Sequence, residues 1–219
     1  MIGASLGGVL LTGGASRRLG VDKAALRVGD ENLAARAARV LRDVCAAVIE
    51  VGSGASGLPH VWEEPRGAGP LSALCAGADA LATDAVLLLA VDLPRVEPPL
   101  LRLVAGTETD GIAVPLAGDR EQWVCARYGP RALERAHELL ATGTRSLHAL
   151  AAEVPVVRID APEWRRVAPP DAFADVDTAA DANRLGISLD PTPAPTPPRS
   201  YTNAQTGVRS CTNAEIWVR

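Results

Sequence analysis

Leu6-Gly7-Gly8-Val9-Leu10-Leu11-Thr12-Gly13-Gly14-Ala15-Ser16-Arg17-Arg18-Leu19-Gly20-Val21-Asp22-Lys23 passes from a short apolar run into a glycine-rich loop that carries two adjacent arginines and a lysine. The apolar run is the right length for one buried strand. A strand that feeds such a loop, with a helix to follow, is a geometry for holding polyphosphate: backbone N–H groups cradle the oxygens and side-chain cations offset their charge. Lys23 is the only lysine among 22 basic residues, the rest being arginine. A chain with so strong a drift toward arginine keeps lysine where a compact, rotatable ammonium does something a planar guanidinium cannot, and meeting a phosphate oxygen is such a task.

Outward from that stretch, apolar runs alternate with helical patterns. Strands are expected at Leu6 to Leu11, Ala47 to Val51, Ala85 to Val91, Ile112 to Val114, Trp123 to Tyr128 and Val154 to Ile159. Between them, Leu33 to Val44 has helical spacing with Arg36, Arg39 and Arg42 on its wet face. Pro70 to Leu81 reads as a small-residue helix, and Pro130 to Leu140 as one with proline in its first turn. Strands apolar on both faces, alternating with helices, predict an α/β fold: a Rossmann-like three-layer α/β/α sandwich around a mostly parallel sheet. Ligands of such sheets bind beyond the carboxyl ends of the strands. Three polar clusters fall there: the glycine loop after Leu11, Gly52-Ser53-Gly54 after Val51, and Asp92-Leu93-Pro94 after Val91.

The 219 residues suffice for a buried core, which must be aliphatic because only 3% of them are aromatic. A formal charge of -4 argues against nucleic-acid binding. No run nears the roughly 20 apolar residues of a membrane span, so a cytoplasmic protein with no membrane partner is expected. Cys45, Cys75, Cys125 and Cys211 are far apart and form no C-x-x-C pair, so the first three read as small core hydrophobes rather than zinc ligands or disulfides. From about Gly186 the composition turns proline-rich, with Pro191, Pro193, Pro195, Pro197 and Pro198. A folded domain over residues 1–186 and an unfolded linker and tail over 187–219 are expected, the tail holding two related decapeptides that are too few for a solenoid.

Two common phosphate loops are excluded. Gly20 is not followed directly by Lys-Ser/Thr as a P-loop requires, and adjacent Gly13 and Gly14 do not fit G-x-G-x-x-G. The remaining pattern, L-x-G-G-x-S-x-R-x-G-x-D-K from Leu11 to Lys23, closely resembles that of the molybdenum cofactor guanylyltransferases, members of the wider nucleotidyltransferase superfamily. The resemblance continues in family order through Gly69-Pro70-Leu71, Asp92-Leu93-Pro94, Gly143-Thr144-Arg145-Ser146-Leu147 and Phe173-Ala174-Asp175-Val176-Asp177-Thr178.

That resemblance implies transfer of GMP from GTP to the terminal phosphate of molybdopterin, with release of pyrophosphate; molybdoenzyme maturation proteins would take the product. Leu11, Thr12, Gly13, Gly14, Ser16 and Gly20 would line the nucleotide, and Arg18 and Lys23 would offset charge on the α-phosphate and the departing pyrophosphate. Asp92 would hold Mg²⁺. Where the family has asparagine in its closing N-V-N-T, this chain has Asp175 and Asp177, and Asp177 is the better second metal ligand. Ser53 stands for the family's asparagine after the second strand. Glu64 stands for its aspartate before G-P-L and would accept from guanine N–H groups. Asp22 is expected to orient the loop through backbone hydrogen bonds. A cytidylyltransferase for the same cofactor, another nucleotidyltransferase of small-molecule phosphates, and a non-catalytic carrier of nucleotide or cofactor stay open as alternatives.

Overall fold

Successive side chains of one strand enter opposite cores. Val9 and Leu11 pack into one apolar cluster and Leu10 into another; Val86 and Leu88 oppose Leu87 and Leu89 in the same way. That two-sided burial is why the strand sequences read as continuous apolar runs rather than alternating ones. The computed structural model describes residues 6–13 and 19–189.

In chain order the elements begin with β1 (Leu6–Leu11), a 3₁₀ turn at Lys23–Ala25, a small hairpin of β2 (Arg27–Val28) and β3 (Glu31–Asn32), and α1 (Leu33–Arg42). Then come β4 (Ala47–Val51), β5 (His60–Val61), α2 (Pro70–Leu81), β6 (Ala85–Ala90) and α3 (Pro98–Gly106). β7 (Ile112–Ala117), β8 (Arg120–Glu121), β9 (Cys125–Tyr128), α4 (Pro130–Ala141) and α5 (Leu147–Ala151) follow. β10 (Val156–Ile159), α6 (Ala161–Trp164) and α7 (Ala179–Leu185) close the described chain.

The main sheet has the order β10-β7-β9-β6-β1-β4-β5, with β8 pairing on β7. α1, α3, α6 and α7 contribute to the core on one face. α2, α4 and α5 contribute to the core on the other. The three layers expected from the sequence are therefore present. The sheet is mixed rather than wholly parallel, because β9 runs antiparallel to both β6 and β7. The β7–β8 hairpin turns the chain back before β9, and a strand that returns without a helical crossover must run antiparallel.

β1 is the middle of the parallel half, pairing with β4 on one side and β6 on the other. The connection to β4 runs through α1 and the one entering β6 through α2, which cover opposite faces. Connections that diverge in this way leave a crevice at the carboxyl end of β1. α2 can lie close over β1 because Gly77 has no side chain: a Cβ there would sit 2.6 Å from Val9 Cγ2.

One expectation about the wet faces is corrected. Arg36 does not simply point to water; its Nε donates to the Pro94 carbonyl at 2.9 Å and a terminal nitrogen donates to Glu97, the residue that caps α3. A long cation at a half-buried helix position gains more by bridging to the neighbouring helix than by solvation alone. Packing also continues past Gly186: Ile187 is buried and Ser188 pairs with Arg27. The proline-rich stretch and the two decapeptides lie outside the described residues, as does Cys211.

Candidate active site

Four segments distant in sequence meet at the carboxyl end of β1. β1 delivers Thr12 and Gly13, whose N–H groups both reach the Val51 carbonyl at the end of β4, at 3.2 and 3.4 Å. β6 delivers Asp92, anchored because the Val91 N–H donates to the Leu11 carbonyl at 3.0 Å. The 3₁₀ turn delivers Lys23. Asp22 caps that turn, its Oδ1 accepting from the Ala24 N–H at 3.0 Å, which is the backbone-orienting role read from the sequence. The fourth segment arrives from the end of the domain: the Val176 N–H donates to the Asp92 carbonyl at 3.1 Å. The Thr178–Asp181 capping box then starts α7 and leaves Asp177 beside the others.

The result is a charged cluster. Lys23 Nζ lies 3.0 Å from Asp92 Oδ2 and 2.6 Å from Asp177 Oδ1. Burial works against the ammonium, but the hydrogen bonds and fields of Asp177 and Asp92 outweigh it and raise the Lys23 pKa above its ordinary value, so the charge persists throughout the neutral range. Two carboxylates against one ammonium leave an excess of negative charge. A triphosphate would be repelled from this point unless a further cation joined it.

Beside the cluster opens a cavity of about 480 Å³, of a size that suits a nucleotide-sized ligand. Leu11, Thr12, Gly13, Lys23 and Asp92 line it, with Val51, Ala73, Ala90, Val91 and Val124 as apolar wall. Gly67, Gly69 and Pro70 close one side at the start of α2. Of the residues expected from sequence, Asp177 joins through Lys23, whereas Asp175 is exposed. Gly20 adopts φ 69° in an exposed turn with open space about it, so glycine there serves the turn and does not line the cavity. Ser53 is exposed on the loop after β4. Gly14, Ser16 and Arg18 lie outside the described residues.

Glu64 is placed differently from expectation. It is exposed and does not line the cavity, while its neighbour Glu63 is buried and does. The main chain after β5 decides which of two adjacent carboxylates turns inward, and nothing in a Glu-Glu pair reveals that in advance.

Glu50 was not anticipated at all. It sits on β4 at 0% exposure. Its carboxylate accepts from the N–H groups of Gly54, Ala55 and Ser56 at 2.7, 3.1 and 2.9 Å and from the hydroxyls of Thr12 and Ser56. A buried carboxylate satisfied by so many donors shapes the loop after β4 and fixes the Thr12 hydroxyl at the cavity floor. Gly52 completes the joint, with φ 149° and a would-be Cβ 2.0 Å from Thr12 Oγ1. An acidic residue within an apolar strand was the available signal, since such a position is justified only by partners.

Comparison with known proteins identifies a family. Residues 8–157 match the family model of the MobA-like NTP transferase domain. A protein from Mycobacterium avium named "probable molybdenum cofactor guanylyltransferase" is 33% identical over 195 residues, covering 82% of this chain and 94% of the relative. One of the same name from Pelotomaculum thermopropionicum is 38% identical over 143 residues, 60% of this chain and 70% of the relative. Among solved structures, molybdopterin-guanine dinucleotide biosynthesis protein A from Archaeoglobus fulgidus superposes with a TM-score of 0.70 at 18% identity, covering 82% of this chain and 96% of that one.

Proposed function

The chain belongs to the MobA-like NTP transferase family, and we propose that it transfers GMP from GTP to the terminal phosphate of molybdopterin in its molybdenum-bound form, giving the guanine dinucleotide cofactor and pyrophosphate. A phosphate oxygen of the acceptor forms a bond to the α-phosphorus as the bond to the bridging oxygen of the β-phosphate breaks. The electron pair and the growing charge leave with pyrophosphate. An acceptor phosphate is already ionised at neutral pH, so positioning and electrostatics supply the rate and no general base is required.

The observation that carries this reading is the Lys23 ammonium held between Asp92 and Asp177 at the rim of the β1 crevice. Lys23 would bind phosphate oxygens and stabilise charge on the leaving group. Asp92 and Asp177 fit Mg²⁺: both carboxylates reach one small cation already, both are partly exposed, and no larger cluster of metal-ligating side chains exists among the described residues. Two carboxylates complemented by phosphate oxygens and water are the usual donor set of that ion, which when bound neutralises phosphate charge. Arg18, argued from the motif alone, would add a second cation. The cavity floor at Thr12 and Gly13 would carry the nucleotide.

The test is a turnover assay with GTP, the pterin acceptor and Mg²⁺, following pyrophosphate and dinucleotide together. Lys23→Ala should lower kcat by about 10²- to 10³-fold, the usual loss for one electrostatic contact to the transition state, while circular dichroism stays that of the wild type. Near wild-type turnover in that variant, or a clear preference for CTP, would reject the proposal.

A further inference from the structure

We propose that Glu50 is a positioning residue for nucleotide binding: its buried carboxylate sets the spacing between two walls of the cavity, one at the end of β1 and one in the segment that follows β5. The inference rests on the nucleotide-binding part of the reading above and gives a role to a residue outside the cavity. Glu50 is fully buried in β4 and does not line the cavity, whereas Leu11, Thr12 and Gly13 at the end of β1 and Val51, next to it in β4, do. Side chains alternate along a strand, so Glu50 faces the opposite side of the sheet from Val51. Any effect of Glu50 on a nucleotide must pass through other residues.

The connection between β4 and β5 shows why a charge is buried there. These strands are parallel neighbours, with Glu50 opposite His60 and Val51 opposite Val61. A parallel pair ordinarily needs a crossover of about a dozen residues or more, most often a helix that satisfies its own main chain. Here residues 52–59 make the return without a helix. Glu50 supplies the missing acceptors: Gly54 and Ala55 N–H donate to Oε1 at 2.7 and 3.1 Å, and Ser56 N–H donates to Oε2 at 2.9 Å. Successive N–H groups gathered about one centre form the kind of concavity that elsewhere captures a phosphate. Filled by the protein's own carboxylate, this one cannot compete with the glycine-rich loop for a triphosphate.

The same Oε1 accepts from the Thr12 hydroxyl, which joins the connection to the end of β1. At its other end the connection delivers β5, where the Glu50 N–H donates to the Pro59 carbonyl and the Gly52 N–H to the Val61 carbonyl, both at 2.9 Å. The chain leaving β5 then supplies Glu63, Gly67, Gly69 and Pro70 to the cavity wall. One carboxylate is thus shared by the wall that starts at Thr12 and the wall that starts after Val61. Lys23 and Asp92 are anchored by other bonds, from Asp22 to the Ala24 N–H and from the Val91 N–H to the Leu11 carbonyl. Glu50 therefore bears on how the nucleotide is held and not on the groups that face the reacting phosphates.

The experiment is calorimetric binding of GTP with Mg²⁺, together with steady-state turnover, on the full chain and on Glu50→Gln, Ser56→Ala and Ser56→Thr, at a temperature where circular dichroism shows each to be folded. Glu50→Gln keeps the shape but sets an amide N–H₂ against main-chain donors. It should weaken GTP about 10-fold while kcat at saturating GTP stays within about threefold of wild type. Ser56 is half-buried and outside the cavity lining. Ser56→Ala removes one hydroxyl donor from the carboxylate and should weaken GTP about threefold, whereas Ser56→Thr, which keeps the hydroxyl, should bind as the wild type does. A merely structural glutamate would lower the melting temperature and leave the GTP affinity of the folded protein unchanged, and that result overturns the proposal. So does a fall in kcat with GTP affinity intact. If Glu50→Gln does not fold, the Ser56 pair decides alone, and equal affinity in its alanine and threonine forms overturns the proposal. A wild-type preference for CTP sinks the guanylyl reading but not this one, which then requires the same weakening toward CTP. A wild type that binds no nucleoside triphosphate sinks both.

Discussion

Thr12 and Glu50 are 38 positions apart, and the bond between their side chains ties the first residues of the glycine-rich loop to the neighbouring strand. Removing the carboxylate strands five donors in a dry site, and each buried donor left without a partner costs about 1–3 kcal/mol, partly recovered by entering water. Glu50→Ala should therefore lower unfolding stability by about 3–5 kcal/mol. Thr12→Val removes one donor of the five and should cost about 1–2 kcal/mol. Urea denaturation checks both; a Glu50→Ala loss under about 1 kcal/mol would mean the network contributes shape but little energy. Legibility at this level was uneven. Lys23 stood out because composition isolated it, and the motif and the position after a buried strand singled out Asp92. Glu50 showed only as an acid within an apolar strand, and Glu63 was silent, because a Glu-Glu pair does not say which side chain the backbone turns inward.

α2 shows how an element's fit is decided by what its neighbours leave room for. Its sequence, Pro70-Leu71-Ser72-Ala73-Leu74-Cys75-Ala76-Gly77-Ala78, is apolar on most sides, and the buried residues span the face toward β1 and β4. Gly77→Ala would gain about 1 kcal/mol of helix propensity. Against that, the new methyl would meet Val9 Cγ2 at 2.6 Å and Cγ1 at 2.7 Å, and overpacking of this kind costs about 1–3 kcal/mol. Overpacking should win, giving a net loss of about 0–2 kcal/mol. Val9→Ala, destabilising alone, should cost less in the Gly77→Ala background than in the wild type. A double-mutant cycle on thermal melts reads the coupling, and strict additivity would contradict the contact. The helices that open at Leu33, Pro70 and Pro130 were readable in advance, and so were the long buried strands. α3 and α6 were not, although each also has proline in its first turn; nor were α5, α7 and the two-residue strands, since so few residues carry no resolvable period.

For the molecule as a whole, two cores on opposite faces of one sheet account for the thiols. Burial pushes Cys45 up to about 11 and Cys125 up to about 12; Cys75 also rises to about 12, through burial and then the nearby Asp79 charge. Ordinary thiols titrate near 8.5. At pH 8 a disulfide reagent should accordingly titrate at most one of the four cysteines in the folded chain and all four in denaturant; rapid reaction of two or more would show that a core opens readily. Among the described residues no helix is long and apolar enough to cross a membrane.

Local chemistry was enough to specify the layers and the strand that carries the glycine-rich loop, while the grouping of Lys23 with Asp92 was implied by the family resemblance. The layers and the loop follow from periodicity, glycine placement and charge within short windows, where each residue's own properties dominate. Contacts over long separations were a different matter. Lys23 meets Asp177 across 154 positions, β9 inserts antiparallel between β6 and β7, and Glu63 rather than Glu64 faces the cavity. Each of these depends on where several segments stop relative to one another once both cores are filled, a quantity no stretch of chain carries alone.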